Sequence, residues 1–133
     1  RVARYVDIDC DLHASTSQAL AWLFEQGLIK PGSLVGYDDW WVVPCNKYRT
    51  SRGSRVISPL HVGEGLAHLE VTRRFGVRFR CVAGSCSPTP LPVTSCHVHN
   101  NWGPIFVVQA VGVPQGEEST GFFEGETDPN LTG

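Results

Sequence analysis

Two short apolar runs in this chain end directly in carboxylates. The first run, YVDIDCD, covers residues 5–11, and the second, SLVGYDD, covers residues 33–39. Each run predicts a buried strand, and the carboxyl ends of parallel strands meet at the sheet edge where α/β proteins bind ligands. Carboxylates gathered there repel one another unless neutralised, and their oxygens suit Mg²⁺, Ca²⁺ or Mn²⁺. The residues concerned are Asp9, Asp11, Asp38 and Asp39.

A less specific interpretation gives each aspartate a local role. Asp7 or Asp11 could cap the following helix, and Asp39 could begin a turn, because aspartate is common at both kinds of position. This interpretation explains one aspartate at a time. It does not explain why two acidic strand ends stand one helix apart, so we expect the two clusters to share one cation site.

The segment between the acidic clusters predicts a helix. Ser15 to Gln18 matches a capping box, and Gly27 is suited to end the helix in a left-handed conformation. Between them one apolar face recurs at helical spacing, at Ala19, Leu20, Leu23 and Phe24. A strand–helix–strand unit of this kind predicts a right-handed crossover between two parallel strands.

The second half of the chain predicts a further helix and two strands. The helix is expected to begin at Ser58–Pro59 and to end at Gly76. Its expected buried positions are Leu66, Leu69 and Phe75, and its expected surface positions are Glu64, His68 and Glu70. Residues 77–83 and 105–111 predict an antiparallel strand pair, with the last strand central. The predicted fold class is α/β with a Rossmann-like partial sheet, in the order strand–helix–strand–helix–strand–strand.

Composition predicts one domain and argues against several classes of protein. The 133 residues carry a formal net charge of −2, which argues against a nucleic-acid partner, and no apolar run approaches the roughly 20 residues of a membrane span. Acids interrupt the start of the chain, so no signal peptide is predicted and a cytoplasmic location is expected. Residues 1–113 form the predicted domain, and residues 114–133 are predicted to be an acidic disordered tail.

The cysteines do not predict a disulfide framework. Their number is odd and their spacing irregular, so reduced thiols in an intracellular compartment are expected at Cys10, Cys45, Cys81, Cys86 and Cys96. A zinc site is the alternative, with Cys86, Cys96, His97 and His99 as ligands. No CxxC pair supports that site, and a Pro-rich surface loop is the favoured interpretation of the segment.

Two further groups of side chains allow a functional and a structural interpretation. A basic stretch could close over an anionic substrate, although a solvated loop is the favoured interpretation; it contains Lys47, Arg49, Arg52 and Arg55. Three tryptophans could line an apolar acceptor pocket, or they could belong to the core; they are Trp40, Trp41 and Trp102.

The segments DIDCDLHAST and GLIKPGSLVGYDDW resemble motifs of the macrocin O-methyltransferase (TylF-like) group of class I S-adenosylmethionine-dependent methyltransferases. The resemblance covers about residues 4–112 and implies the C-terminal half of such an enzyme. It implies S-adenosylmethionine and Mg²⁺ as cofactors and a small hydroxylated molecule as acceptor. The Mg²⁺ would lower the pKa of the acceptor hydroxyl and hold its oxygen in line with the methyl group.

The resemblance also implies roles for individual residues. Asp9, Asp38 and Asp39 would be the metal ligands, with Asp11 as a neighbouring group or an alternative ligand. Contacts to S-adenosylmethionine would fall at Asp9, Cys10 and Asp11. Asp9 would also take part in catalysis, and His13 could act as general base, although a histidine at a helix start is more often a surface residue.

The glycine-rich loop that would hold the cofactor is missing from this sequence. No GxGxxG-like segment follows a predicted strand, so we expect weak binding of S-adenosylmethionine and no activity from this chain alone. Its expected partner is the N-terminal half of the same domain in a longer protein, and a homo-oligomer is also conceivable. Without that half, the outer edge of the first strand is expected to be unpaired.

Two other functions remain open on the sequence. Asp7–Asp9 and Asp9–Asp11 both form a DxD motif after an apolar strand, as in glycosyltransferases that hold Mn²⁺ and a nucleotide diphosphate. That chemistry does not require the second acidic pair. The remaining alternative is a non-catalytic α/β interaction module with solvated carboxylates, which would not depend on metal.

Overall fold

Strands and helices alternate along most of the chain. The computed structural model describes residues 1–47, 56–84, 86, 91–92, 96 and 103–113. The helices are α1 (His13–Glu25), α2 (Val42–Lys47) and α3 (Gly63–Phe75), with a 3-10 helix at Pro59–His61 ahead of α3. The strands are β1 (Tyr5–Ile8), β2 (Leu34–Tyr37), β3 (Val56–Ile57), β4 (Arg78–Ala83), β5 (Leu91–Pro92) and β6 (Ile105–Ala110).

The main sheet has four strands in the order β1-β2-β6-β4. β1 pairs with β2 in parallel, which confirms the strand–helix–strand prediction for the first 40 residues. β6 lies between β2 and β4 and is antiparallel to both, so the prediction of a central last strand is also confirmed. A second, two-stranded sheet of β3 and β5 was not predicted, because each of its strands has only two residues.

One face of the main sheet is buried and carries the core. Alternate residues of the strands point to this face, among them Val35, Phe79 and Phe106. Leu20 and Phe24 of α1 and Val71 of α3 belong to the same cluster. Each such side chain contributes about 1.5–3 kcal/mol when fully buried, so this face anchors both helices to the sheet.

The predicted start of α1 is three residues too late, because Ser15 was the expected N-cap. The helix begins at His13, and its N-cap residue Leu12 makes no side-chain cap, so Ser15 lies inside the helix. The reason is the turn that follows β1. Asp11 has a left-handed backbone with φ 57°, and the N–H of Leu12 donates to the carbonyl of Cys10, which brings the chain into the helix early. The predicted end at Gly27 is confirmed by its φ of 64°.

The second predicted helix is interrupted near its start. The hydroxyl of Ser58 accepts from the N–H of Leu60 and caps only the 3-10 helix; Val62 is then extended, and α3 begins at Gly63. The predicted end at Gly76 is confirmed, because that residue is left-handed and its N–H donates to the carbonyl of Thr72.

The predicted buried face of α3 is also wrong. Leu66, Leu69 and Phe75 are only partly buried. Two of the three polar residues expected at the surface, Glu64 and His68, are fully buried, whereas Glu70 is exposed as predicted. The buried residues of the helix are Gly63, Glu64, Gly65, Ala67, His68, Val71 and Thr72. The polarity of Glu64 and His68 misled the prediction, because each is buried against polar groups from β1 and β2 or from the loops after them.

The prediction of reduced thiols is wrong for four of the five cysteines. Cys45 pairs with Cys96, and Cys81 pairs with Cys86, with Cα–Cα distances of 5.6 and 6.0 Å. These pairings remove Cys86 and Cys96 from the alternative zinc site. Sequence spacing could not predict them, because disulfides depend on distances that only the fold determines. Cys10 is a free, half-buried thiol.

Several predictions concern residues outside the described part of the chain. These are the acidic tail at 114–133 and the residues Arg49, Arg52, Arg55, His97, His99 and Trp102. Trp40 and Trp41 are buried in the core cluster, which favours the core interpretation for these two. Among the described helices, none combines the length and the apolar character that crossing a bilayer would require.

Candidate functional site

The two acidic strand ends lie side by side. In the parallel pair, Ile8 of β1 is in register with Tyr37 of β2. The N–H of Asp38 donates to the carbonyl of Ile8 at 2.9 Å, so pairing continues one residue past the strands. The loops that carry the carboxylates therefore leave the sheet at the same edge, as the sequence predicted.

Three carboxylates form a group at this edge. Asp9, Asp11 and Asp39 each offer an oxygen, and these atoms all lie within 4.8 Å of one another. Two oxygens bound to one Mg²⁺ or Ca²⁺ lie about 3–5 Å apart, given metal–oxygen distances of about 2.0–2.6 Å. The three side chains are thus spaced as ligands of one hard cation. We call these three residues the acidic group.

Asp38, the other predicted ligand, is not part of the acidic group. It is exposed and interacts with Asp9, whose negative charge is the main cause that raises the pKa of Asp38. Asp11 stands in its place. Asp11 has a left-handed backbone three residues past the end of β1, and its carboxylate lies close to those of Asp9 and Asp39.

The carboxylates of the acidic group repel one another when no cation is bound. The pKa of Asp39 is raised to about 7, first by a hydrogen bond with Asp11, then by burial and by neighbouring charge. A shared proton relieves the repulsion between two such carboxylates, and a bound cation would relieve it more completely. One oxygen of Asp39, Oδ2, is buried without a hydrogen-bond partner among the described residues.

Glu64 is the residue of this site that sequence reasoning missed. It lies in the first turn of α3 and is 0% exposed. Its Oε2 accepts from the N–H of Asp39 at 2.9 Å, while its Oε1 is buried and has no hydrogen-bond partner among the described residues. A usable signal was present, since an acid in a helix's first turn is favoured there and that turn lies at the ligand-binding edge in α/β proteins.

Burial controls the charge state of Glu64. Desolvation is the largest cause that raises its pKa to about 8, and the charges of Asp39 and Asp38 act in the same direction. Hydrogen bonds from the main chain of Asp39 and Cys10 oppose the shift, because they stabilise the carboxylate. The buried carboxyl group of Glu64 therefore lies beneath the acidic group, between the two loops that carry Asp9, Asp11 and Asp39.

The structure places the other predicted site residues as follows. His13 begins α1, and its Nε2 lies 2.8 Å from Oε2 of Glu70 in α3 and 3.3 Å from Oγ of Ser17. This is a contact between two partly exposed side chains that links α1 to α3. Cys10 lies between Asp9 and Asp11 in the first loop, with its thiol half-buried.

An aromatic cluster lies next to Glu64 in the core. The hydroxyl of Tyr37 is hydrogen-bonded to Nδ1 of His68 at 2.7 Å. Burial lowers the pKa of His68 to about 3, and burial followed by the charge of Glu64 raises the pKa of Tyr37 well above 10. Both side chains are thus neutral near pH 7. The ring of His68 packs against Phe79, Phe106 and Trp40, with centroid distances of 4.3, 4.6 and 5.3 Å.

Comparison with known proteins adds no relative to this picture. No family model matches the chain, and neither a curated protein nor a solved structure matches it. The function is therefore argued from the chemistry of the acidic edge of the sheet.

Proposed function

We propose that this chain is the C-terminal, metal-binding half of a Rossmann-like O-methyltransferase that uses S-adenosylmethionine and a divalent cation, with Mg²⁺ as the expected ion. The observation that carries the proposal is the acidic group at the ends of two parallel strands. The buried Oδ2 of Asp39, a member of that group, has no hydrogen-bond partner among the described residues and is a second observation that supports a bound cation. The strand directions also support the resemblance, which calls for an antiparallel last pair.

The chain's own residues would hold the cation and position the acceptor. Asp9, Asp11 and Asp39 present oxygens from two loops, so a cation between them would be fixed relative to both strands. When bound, the cation would lower the pKa of a coordinated hydroxyl of a small-molecule acceptor. Methyl transfer depends mostly on placing that oxygen in line with the methyl donor, which rigid loops on paired strands favour. His13, engaged by Glu70 in this structure, is a weaker candidate for general base.

The cofactor-binding part of the proposal rests on the sequence resemblance. The first loop, with Asp9, Cys10 and Asp11, would contact S-adenosylmethionine, and a preceding half-domain would supply the glycine-rich loop. Among the described strands, β1 has a partner on one side only, so its outer edge is available to that half-domain. The methyltransferase activity would belong to the two halves together.

A glycosyltransferase is the second candidate, and one observation favours it. Both acids of the Asp9–Cys10–Asp11 DxD motif belong to the acidic group. A motif of this type would hold Mn²⁺ and the diphosphate of a nucleotide sugar. The contribution of Asp39 from the second loop favours the methyltransferase, because the DxD chemistry does not require it.

Calorimetric titration of the metal-free protein with Mn²⁺ and Mg²⁺ tests the proposal. Asp39→Asn is expected to weaken binding by about 10-fold or more, because it removes one charged ligand of three. The matched control is Asp7→Asn, an exposed aspartate on β1 outside the acidic group. Equal binding by both variants, or no binding by the unaltered protein, would refute the metal site and favour the interaction module.

A direct comparison of binding then distinguishes the two candidate donors, S-adenosylmethionine and a nucleotide sugar. The metal-loaded protein is titrated with S-adenosylhomocysteine and with a uridine diphosphate sugar. Binding of the nucleotide sugar that requires Mn²⁺ would replace the methyltransferase proposal with the glycosyltransferase. Binding of the sulfur compound, strengthened when the preceding half-domain is present, is the expected result.

A further inference from the structure

The main chain of both acidic loops converges on one buried side chain. The carboxyl group of Glu64 accepts from the N–H of Asp39 at 2.9 Å, and the main chain at Cys10 lies near enough to stabilise its charged form. Asp39 belongs to the second loop, and Cys10 stands between Asp9 and Asp11 in the first.

Glu64 is not itself a member of the acidic group. Its carboxylate oxygens are not among the oxygens that lie within 4.8 Å of one another. Its contacts are to main-chain groups beside the aspartates rather than to a point where a cation would bind. Any effect of Glu64 on a bound ion must therefore pass through the geometry of the loops.

The position of Glu64 is tightly constrained by its neighbours. Its side chain is 0% exposed and starts in the first turn of α3. The next residue, Gly65, lies against the backbone of Pro59, and a Cβ at that position would overlap the carbonyl oxygen of Pro59. The 3-10 helix thus packs directly on the first turn of α3, which leaves Glu64 little freedom to move away from the loops.

We propose that Glu64 is the positioning residue of the acidic group: its buried carboxyl group ties the two acidic loops together and sets the directions of Asp9, Asp11 and Asp39. This inference rests on the proposed metal-binding function for its consequence, but the tie itself exists without metal. Residues that orient metal ligands typically alter metal affinity by about 10- to 100-fold when they are replaced. Glu64 acts on the ion without contacting it.

Three variants separate the position of the carboxyl group from its ability to ionise. Glu64→Gln keeps the length of the side chain and one acceptor oxygen but cannot ionise, so its Mn²⁺ affinity should stay within about threefold of the unaltered protein. Glu64→Asp keeps an ionisable carboxyl group but is one methylene too short, and Glu64→Ala lacks the acceptor. Both should bind Mn²⁺ about 10- to 100-fold more weakly. Glu70→Gln is the matched control, an exposed glutamate on the same helix, and should bind like the unaltered protein.

Amide hydrogen exchange in the metal-free protein supplies the second readout. The amides of Asp39 and Cys10 should exchange about 10-fold faster in Glu64→Ala than in the unaltered protein, while the amide of Val35 in β2 stays protected. Circular dichroism verifies that each variant is folded, and if the Ala variant unfolds, the Gln–Asp comparison carries the test.

The positioning role of Glu64 and the metal site would be refuted by different results. If Glu64→Asp binds Mn²⁺ as tightly as the unaltered protein and Glu64→Gln does not, Glu64 acts by charge and the positioning role is wrong. Unchanged exchange at Asp39 and Cys10 in a folded Ala variant would also refute that role. Absence of Mn²⁺ binding in the unaltered protein would refute the metal site instead, and the exchange data would still decide whether Glu64 ties the loops.

Discussion

Glu64 and His68 lie one turn apart on the buried face of α3, and both are 0% exposed, yet their surroundings differ. His68 is hydrogen-bonded to Tyr37 and has aromatic rings on several sides. Glu64 accepts a hydrogen bond from the N–H of Asp39 and lies beneath an excess of negative charge. The histidine therefore belongs to the aromatic core, whereas the glutamate belongs to the acidic edge of the sheet.

The two regions also respond to protons in opposite ways. In the aromatic cluster, burial holds a base neutral, and the pKa of His68 falls to about 3. At the acidic edge, burial and repulsion hold acids neutral, and the pKa of Glu64 rises to about 8. One helix therefore carries both shifts within four residues. Variants that alter one region and leave the other unchanged are the sharpest test of the contrast.

Replacing His68 with alanine should have the largest effect. The variant empties space between Phe79 and Phe106 and removes the hydrogen-bond partner that the hydroxyl of Tyr37 has in His68. We expect the free energy of unfolding to fall by about 3–5 kcal/mol in urea denaturation near pH 7. Mn²⁺ affinity of the folded variant should change by less than about twofold, because no His68 atom belongs to the acidic group. A cost below about 1 kcal/mol would show that the cluster is not a structural core.

The pH dependence of stability should show both shifts. His68 is a base whose pKa is lowered from 6.5 to about 3, so its contribution is full above pH 6.5 and is lost as pH falls toward 3. Glu64 is an acid whose pKa is raised from 4.5 to about 8, so its contribution is full below pH 4.5 and is lost as pH rises through 8. Asp39, with a pKa of about 7, adds to the second trend.

The two trends oppose each other between pH 4.5 and 6.5. Each shifted proton changes the free energy of unfolding by at most about 1.4 kcal/mol per pH unit. We therefore expect stability to fall on either side of that window in a series of urea titrations. In Glu64→Gln, the loss of stability above pH 6.5 should be smaller. The decrease in stability that His68 causes below pH 6.5 should then become visible. An unchanged profile in that variant would contradict the assignment.

Asp11→Asn should have the smallest effect on stability and an opposite effect on metal binding. Asparagine tolerates the left-handed backbone at φ 57°, so the turn is retained while one charge of the acidic group is removed. The metal-free protein should gain about 0.5–1 kcal/mol, because repulsion with Asp39 is relieved. Mn²⁺ binding should weaken by about 10-fold or more in calorimetry. Loss of stability in this variant would mean that the acids do not repel one another significantly.

Short-range sequence patterns predicted those elements of the fold that depend mainly on neighbouring residues. The apolar runs before Asp9 and Asp38 gave the parallel strands and their shared edge, and the apolar run at 105–111 gave the central last strand. The start of α1 was mispredicted because the turn at Asp11 overrides the capping pattern at Ser15.

The sequence predicted only at which edge of the sheet the site lies. Which aspartates face one another depends on backbone turns, so Asp11 rather than Asp38 joins Asp9 and Asp39. Glu64 was missed because its burial depends on the tertiary packing of α3, which polarity alone argues against. The pairing of Cys45 with Cys96, 51 residues apart, was hidden for the same reason.

The position of β1 at the rim of the sheet has a consequence for handling the protein. Arg4 precedes this strand, Asp7 lies on it and Asp9 follows it, and all three side chains are exposed, so the rim is charged. Charged side chains on an open rim hinder strands of different molecules from joining into aggregates. Replacing Asp7 and Asp9 with neutral residues is therefore expected to increase aggregation in concentrated solution.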